Sequence, residues 1–204
     1  MATARAYRAR RRSNRSEQTR ERITSAVRDL LAEGTFHEST VEEVAERAGI
    51  SRATLYQHFR SRVDLVDAIC DTFAVNPALV AVREAVELAD PEAALAETIA
   101  HCVGFWSSED SVLSQLYGVM AIDPAARDLV ERQREDRRGE VKRLARHLHA
   151  TGRLRSSIGQ RRATELLMVL TSYETFRELR QSGLTQRELT TALQESGRSL
   201  LLEG

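Results

Sequence analysis

The sequence predicts an all-α chain, and three observations carry that expectation. Breakers are scarce, with ten glycines and three prolines in 204 residues. Alanine, leucine, arginine and glutamate are frequent and β-branched runs are few, a composition that favours helix over strand. Apolar residues also recur at helical spacing from the first element onward. The length allows one large or two small domains with a sizeable buried core. We expect about nine to ten helices, divided into a small N-terminal three-helix unit and a larger helical domain.

The first helix places Ile23, Ala26, Val27, Leu30 and Leu31 on one face, and Gly34 stands where a glycine C-cap would end it. Thr40 followed by Glu43 is a capping box opening a second helix, whose inward side is Val41, Val44, Ala45 and Ala48. Gly49 ends that helix, and Ser51 is a good N-cap for a third. Only Gly49-Ile50-Ser51 separates the two, a turn short enough to make them cross steeply. Ile50, Leu55 and Phe59 complete a small core, and Ser61 with Asp64 caps a fourth helix carrying Leu65, Val66, Ile69 and Phe73 inward. Longer helices are then expected over roughly 78–88, 91–107, 110–122, 124–150, 160–182 and 186–202. Asp90-Pro91 and Asp123-Pro124 each read as an N-cap followed by proline at the first helical position.

Net charge is zero, but it is unevenly spread. Residues 1–16 hold Arg5, Arg8, Arg10, Arg11, Arg12 and Arg15 and no acid, so a basic arm without fixed structure is expected there. Such an arm beside a folded domain fits a polyanion partner or a solvated leader. The remaining domains are drawn at 17–62 and 63–204. No apolar stretch approaches the ~20 residues of a membrane helix, and no apolar segment follows the basic N-terminus as in a secretory signal. Cys70 and Cys102 lie in apolar helical contexts, as expected of buried thiols in a reducing cytoplasm.

The third helix, Gly49–Phe59 with its turn, carries the functional signal. At ~100° per residue Leu55 and Phe59 point inward, while Ala53 and Gln57 lie opposite, flanked by Thr54 and Tyr56. A small residue ringed by hydrogen-bonding groups suits a helix that enters a DNA major groove. Ala53 permits close approach, Arg52 could fork onto a guanine or a phosphate, and Gln57 could reach a base. Thr54, Tyr56 and the Ser51 hydroxyl could donate to phosphates, helped by the free N–H groups of the helix start. On an ideal helix Arg52 points nearer the core side, so its contact needs a flexible first turn.

The run from Thr40 to Ile69, TVEEVAERAGISRATLYQHFRSRVDLVDAI, resembles the DNA-binding region of the TetR (tetracycline-repressor) family. The matching elements are the Thr-Val start, Ala-Gly-Ile-Ser at the turn, Thr-Leu-Tyr-x-His-Phe, and a basic residue three positions after that Phe. The resemblance covers about residues 20–70. It implies that Thr54 and Tyr56 hold phosphates, that Ser51, Arg52, Ala53 and Gln57 sit at or near the groove, and that Thr40 contacts backbone. His58 would reach a phosphate or close the junction to the fourth helix, and Arg62 stands where the family usually has lysine. Glu42 and Glu43 depart from the pattern by placing acid on the second helix; Glu43 is explained by capping, and Glu42 implies that this helix reads little. Arg10, Arg11 and Arg12 are candidates to enter a minor groove from the arm.

The resemblance further implies a C-terminal ligand-sensing and dimerisation domain. Leu166 and Leu170 in helix 160–182, and Leu189, Leu193, Gly197 and Leu200 in helix 186–202, fall on faces that fit either a four-helix bundle between two chains or intrachain core. His101, Phe105, Trp106, Tyr117 and Met120, with Tyr173, Phe73 and Met168 as weaker additions, fit a pocket for an apolar ligand with polar anchors, or ordinary core. Adjacent His101 and Cys102 diverge by ~100° on a helix and cannot pair as base and nucleophile, and no phosphate loop or metal spacing is present, so no enzyme, cofactor or metal is expected. The function expected is a cytoplasmic, homodimeric, ligand-responsive DNA-binding regulator, a repressor released from a palindromic operator by a small apolar or amphipathic effector. The alternative is a DNA-binding scaffold controlled by a protein partner.

Overall fold

The computed structural model describes residues 2–122 and 124–203, with the side chains at 2–10, 12, 120–122, 124–126 and 130 outside that description. Ten helices follow one another among the described residues: α1 (Ala2–Ala32), α2 (Val41–Arg47), α3 (Arg52–His58), α4 (Arg62–Phe73), α5 (Pro77–Ala85), α6 (Pro91–Ile122), α7 (Pro124–Ala150), α8 (Gln160–Leu170), α9 (Tyr173–Gln181) and α10 (Gln186–Leu201). The only pairing of extended backbone among them is an isolated antiparallel bridge between Leu154 and Leu202. No single described helix is long and apolar enough to cross a membrane.

The chain divides into two compact units, Met1–Asp71 with Ser111–Arg127, and Thr72–Asp110 with Asp128–Gly204. Helices α4, α6 and α7 each contribute residues to both: the first division falls within α4 after Asp71, and the C-terminal part of α6 with the first residues of α7 joins the first unit.

In the first unit the expected inward residues are buried: Ile23, Val27, Leu30 and Leu31 of α1, Val44 and Ala45 of α2, Leu55 and Phe59 around α3, and Leu65, Val66 and Ile69 of α4. Phe36, in the loop after α1, is also almost fully enclosed. The capping box holds: Glu43 N–H donates to Thr40 Oγ1 at 3.2 Å, and Thr40 N–H donates to Glu43 Oε2 at 2.6 Å. At α4, Asp64 N–H donates to Ser61 Oγ at 3.1 Å, while the Asp64 carboxylate accepts from the N–H groups of Arg60 and Ser61. Those donors, Arg60 first, hold the Asp64 carboxyl below its usual pKa.

Three expectations are corrected. The arm over 1–16 is helical from Ala2, continuous with the first helix, because nothing between Ala2 and Ala32 is glycine or proline and the run is rich in Ala and Arg. Segments 91–107 and 110–122 form one helix; Ser107, Ser108, Glu109 and Asp110 read as a break, yet none interrupts the backbone, and Ser108 bonds the Phe105 carbonyl within the helix. Segment 160–182 is instead two helices. Thr171 closes α8 and Ser172 caps α9, accepting from Thr175 N–H at 3.0 Å, and the Thr171 carbonyl freed by the break accepts from Trp106 Nε1 at 3.1 Å.

The second unit ties α10 to α6. Gln194 Nε2 donates to the Ala96 carbonyl at 2.9 Å, and Glu92 receives both Arg153 and Arg198. This contact decides the fate of the face proposed for dimerisation. Leu170, Leu189, Leu193 and Gly197 are buried within the unit, whereas Leu166 is half-buried and Leu200 exposed. Gly197 permits a close approach, but to α6 of its own chain: a Cβ there would meet Ile99 Cδ1 at 2.8 Å, with Leu170 and Leu95 at 3.7 Å. Gly197, Leu189 and Leu193 are therefore intrachain core, because a face apolar at helical spacing fits an internal neighbour as well as an external one.

A large side chain at Gly197 has no room. Gly197→Leu is expected to lower the unfolding free energy by about 2–3 kcal/mol through overpacking against Ile99 and Leu95, read as a lower urea midpoint. An unchanged midpoint would place this face outside the packed unit.

Candidate nucleic-acid interface

The geometry of the interface begins at the turn. Gly49 adopts φ 63°, in the left-handed region, and its N–H donates to the Glu46 carbonyl at 2.9 Å, while Ile50 N–H returns to Ala45. Arg22 of α1 reaches the same turn and donates from Nη2 to the Gly49 carbonyl at 2.8 Å. Sequence reasoning missed this contact, since a hydrogen bond spanning 27 residues leaves no local pattern. Two further cross-helix contacts steady the unit. The Arg20 guanidinium lies 4.5 Å from the Phe59 ring centroid, and Arg47 pairs with Glu33 at 2.7 Å.

Helix α3 starts at Ser51, whose Oγ accepts from Thr54 N–H at 3.1 Å and lies 2.8 Å from Thr54 Oγ1. Leu55 is buried, while Arg52, Ala53, Tyr56 and Gln57 are exposed. The face read from the helical wheel is thus presented to solvent. Tyr56 is 42% exposed, and its ring lies beneath Arg52 with the guanidinium carbon 5.5 Å from the centroid. Thr40 is exposed at the start of α2, and Ser51 at the start of α3. His58 is half-buried as the last residue of α3, the position that closes the junction to α4.

Two candidate residues behave differently from expectation. Arg52 does not lie free: its Nη1 pairs with Glu42 Oε1, so the acid on α2 neutralises the first cation of α3. The Tyr56 hydroxyl, and then the Glu42 charge, raise the Arg52 pKa above its ordinary value. Arg62 turns inward. Its guanidinium stacks 3.9 Å from the Phe36 ring centroid, and Nη1 donates to the Ser39 carbonyl at 2.8 Å. Burial lowers the Arg62 pKa, and Nη2 is buried with no hydrogen-bond partner among the described residues. Arg62 therefore ties the start of α4 to the Phe36–Ser39 loop instead of reaching outward, a contact hidden from a pattern in which only its charge was legible. Of the arm, Arg11 is exposed on α1, and the side chains of Arg10 and Arg12 lie outside the described residues.

The residues proposed as a ligand pocket do not come together as one set. Phe105, Trp106 and Tyr173 belong to the second unit, where Phe73, Phe105, Trp106, Tyr173 and Phe176 succeed one another with ring centroids 5.5, 4.8, 5.7 and 6.0 Å apart. Polar anchors adjoin this series: Tyr173 Oη donates to Asp110 Oδ1 at 2.7 Å, and the buried Glu109 carboxylate accepts from Asn76 Nδ2 at 2.9 Å. Met168 is buried in the same unit, and its carbonyl accepts from Arg137 at 2.8 Å. His101 instead faces Glu97 on the helix surface at 3.7 Å. Tyr117 belongs to the first unit, and the side chain of Met120 lies outside the described residues. Cys102 is fully enclosed, and burial pushes its thiol up to about 12, so it stays neutral and unreactive. Among the described residues no three His, Cys, Asp or Glu side chains are grouped to hold a metal ion.

A capped helix, a glycine turn and a second short helix with a polar exposed face define a helix-turn-helix protein within an all-helical chain. Residues 23–69 match the family model described as "Bacterial regulatory proteins, tetR family", and that match together with the relatives and solved structures below supports a TetR-family regulator. The chain is similar to the HTH-type transcriptional regulator UidR of Escherichia coli (strain K12), 37% identical over 54 residues. That match spans 26% of this chain and only 28% of the relative's length. Among solved structures, SmeT in complex with triclosan superposes with a TM-score of 0.73 at 16% identity, covering 91% of this chain and 92% of that one. A transcriptional regulator from Saccharomonospora viridis in complex with choline gives 0.72 at 21% identity, over 92% and 100% of the two chains. At such identities the structures share the fold.

Two outcomes test the site's internal geometry. Arg62→Ala should lower stability by about 1–3 kcal/mol through loss of the Phe36 stack and the Ser39 hydrogen bond, with Arg62→Lys recovering only part; a Tm equal to the wild type would return Arg62 to the surface. Cys102 should resist alkylation by iodoacetamide at pH 8 in the folded protein and react fully in denaturant, as mass spectrometry would show.

Proposed function

We propose that the protein is a cytoplasmic, DNA-binding transcriptional repressor that is released from its operator when a small effector binds the second unit. The observation that carries this reading is the exposed face of α3, with Ala53 and Gln57 at its centre and Tyr56 and Thr54 at its flanks, set on a capped glycine turn. Ala53 allows the helix axis close to base edges, Gln57 is placed to meet adenine or another base, and Tyr56, Thr54 and Thr40 supply hydroxyls for phosphates. The N-terminus of α3 adds a partial positive charge. Arginines along the start of α1 supply salt-sensitive attraction. No catalytic role is assigned to any residue.

A repressor of this class works as a dimer. Leu166 and Val169 of α8 and Leu200 of α10, left outward when Leu189, Leu193 and Gly197 turn inward, are the apolar residues available for a second copy. Two copies would read half-sites of a palindrome about one helical turn, on the order of 34 Å, apart or a modest multiple. The aromatic series from Phe73 to Phe176, with Glu109, Asn76, Asp110 and Tyr173 beside it, supports an apolar or amphipathic effector. The ligands named for the two structural neighbours, triclosan and choline, span that chemistry. Helix α4 carries residues of both units and is the proposed lever, with a coupling of about 1–3 kcal/mol weakening operator binding about 5- to 150-fold.

The test is fluorescence-anisotropy binding to the DNA flanking the protein's own gene, against shuffled DNA, over a salt series. We expect a preference of about a hundredfold or more, with two protomers per site. Gln57→Ala should change base preference, whereas Tyr56→Phe should weaken all sequences alike. Binding that ignores sequence for every duplex selected from a random pool would sink the repressor reading in favour of a scaffold controlled by a protein partner.

A further inference from the structure

The Glu42–Arg52 pair gives the α2–α3 face a property that neither helix has alone. Glu42 is the second residue of α2, beside Thr40, and the capping work there is already done by Glu43. Its carboxylate instead crosses to Arg52, the first residue of α3. The Arg52 guanidinium is simultaneously placed over the Tyr56 ring. Of the exposed residues Arg52, Ala53, Tyr56 and Gln57 on α3, Arg52 is the one with a charged side chain. Both members of the pair are open to water, with side chains 61% and 56% exposed.

We propose that Glu42 is a specificity-determining residue of the duplex-facing surface, acting by withholding Arg52 from phosphates. This inference rests on the DNA-binding reading above. An unpaired arginine at the start of α3 would bind the phosphates of any sequence, raising affinity without discrimination. Paired with Glu42, it is electrically neutral toward the backbone, and the carboxylate itself is repelled by phosphates. The pair opens without loss only where both members find new partners. Arg52 then forks onto O6 and N7 of a guanine, and Glu42 accepts from the amino group of a cytosine. On any other sequence, opening leaves a carboxylate unpaired beside a polyanion. The acid on α2 therefore acts by penalising wrong sequences, the repulsive half of recognition.

The test uses the full-length protein, the duplex it selects from a random pool, and a scrambled duplex of equal length. Glu42→Gln should raise affinity for the scrambled duplex about tenfold and for the selected one by less than about threefold. The salt slope on the scrambled duplex should steepen by about one, since Arg52 now neutralises a phosphate. In an Arg52→Ala background the same change should leave the ratio of the two affinities where it was. Glu46→Gln, an equal change of charge on α2, should shift both duplexes in proportion. If Glu42→Gln also shifts both in proportion, or leaves the ratio intact, the proposal is wrong and the regulator reading stands. If the wild type itself selects no duplex, both fall.

Discussion

The pose of α3 hangs on the backbone at Gly49. The residue stands at φ 63°, where a side chain is strained, and a Cβ would also sit 2.6 Å from Arg22 Nη2. That second restriction arises from the arginine that holds the Gly49 carbonyl, so the turn is shaped from inside and clamped from outside at one point. The carbonyl lies at the C-terminal end of α2, where a guanidinium both satisfies a hydrogen-bond acceptor and meets the negative end of the helix dipole. With the turn held, Ser51 can cap α3 and Leu55 can enter the core, and the opposite face is presented outward as a consequence.

Arginine in this unit acts as structural material as much as charge. Arg20 lies over Phe59, Arg22 holds the turn, Arg47 pairs with Glu33, Arg52 with Glu42, and Arg62 stacks on Phe36. A planar, delocalised cation can stack on a ring and still donate in its plane, which the compact ammonium of lysine does poorly. Beyond residue 16 the unit is acidic, with eight arginines against twelve acids, and its positive charge lies along the first half of α1.

The second unit follows the same economy with aromatic rings. Trp106 fills space between Phe105 and Tyr173, and its indole N–H finds the carbonyl that the α8–α9 break releases. The break is thus matched to a donor, and a helix interruption that would leave a buried carbonyl unpaired becomes an anchor for the aromatic series. Cys102, beside this series, is the kind of thiol that packs and does not react.

The sequence by itself determined the helical class, most helix starts, the inward faces of the first unit and the polar face of α3. These are local: a capping box, a glycine at the right phase and a 3.6-residue period are written within a few neighbouring positions. Thr40 with Glu43, Ser61 with Asp64 and the row Ile23 to Leu31 were legible for that reason. The helix ends without glycine or proline were not, as the merger across Ser107–Asp110 and the break at Thr171 show. Only the tertiary structure decided which partner each ambiguous group takes. Gly197 packs on Ile99, Arg62 stacks on Phe36, and Arg52 meets Glu42. A charge or an apolar face specifies the kind of partner it needs, but the choice among partners distant in sequence is made by the geometry that brings them together.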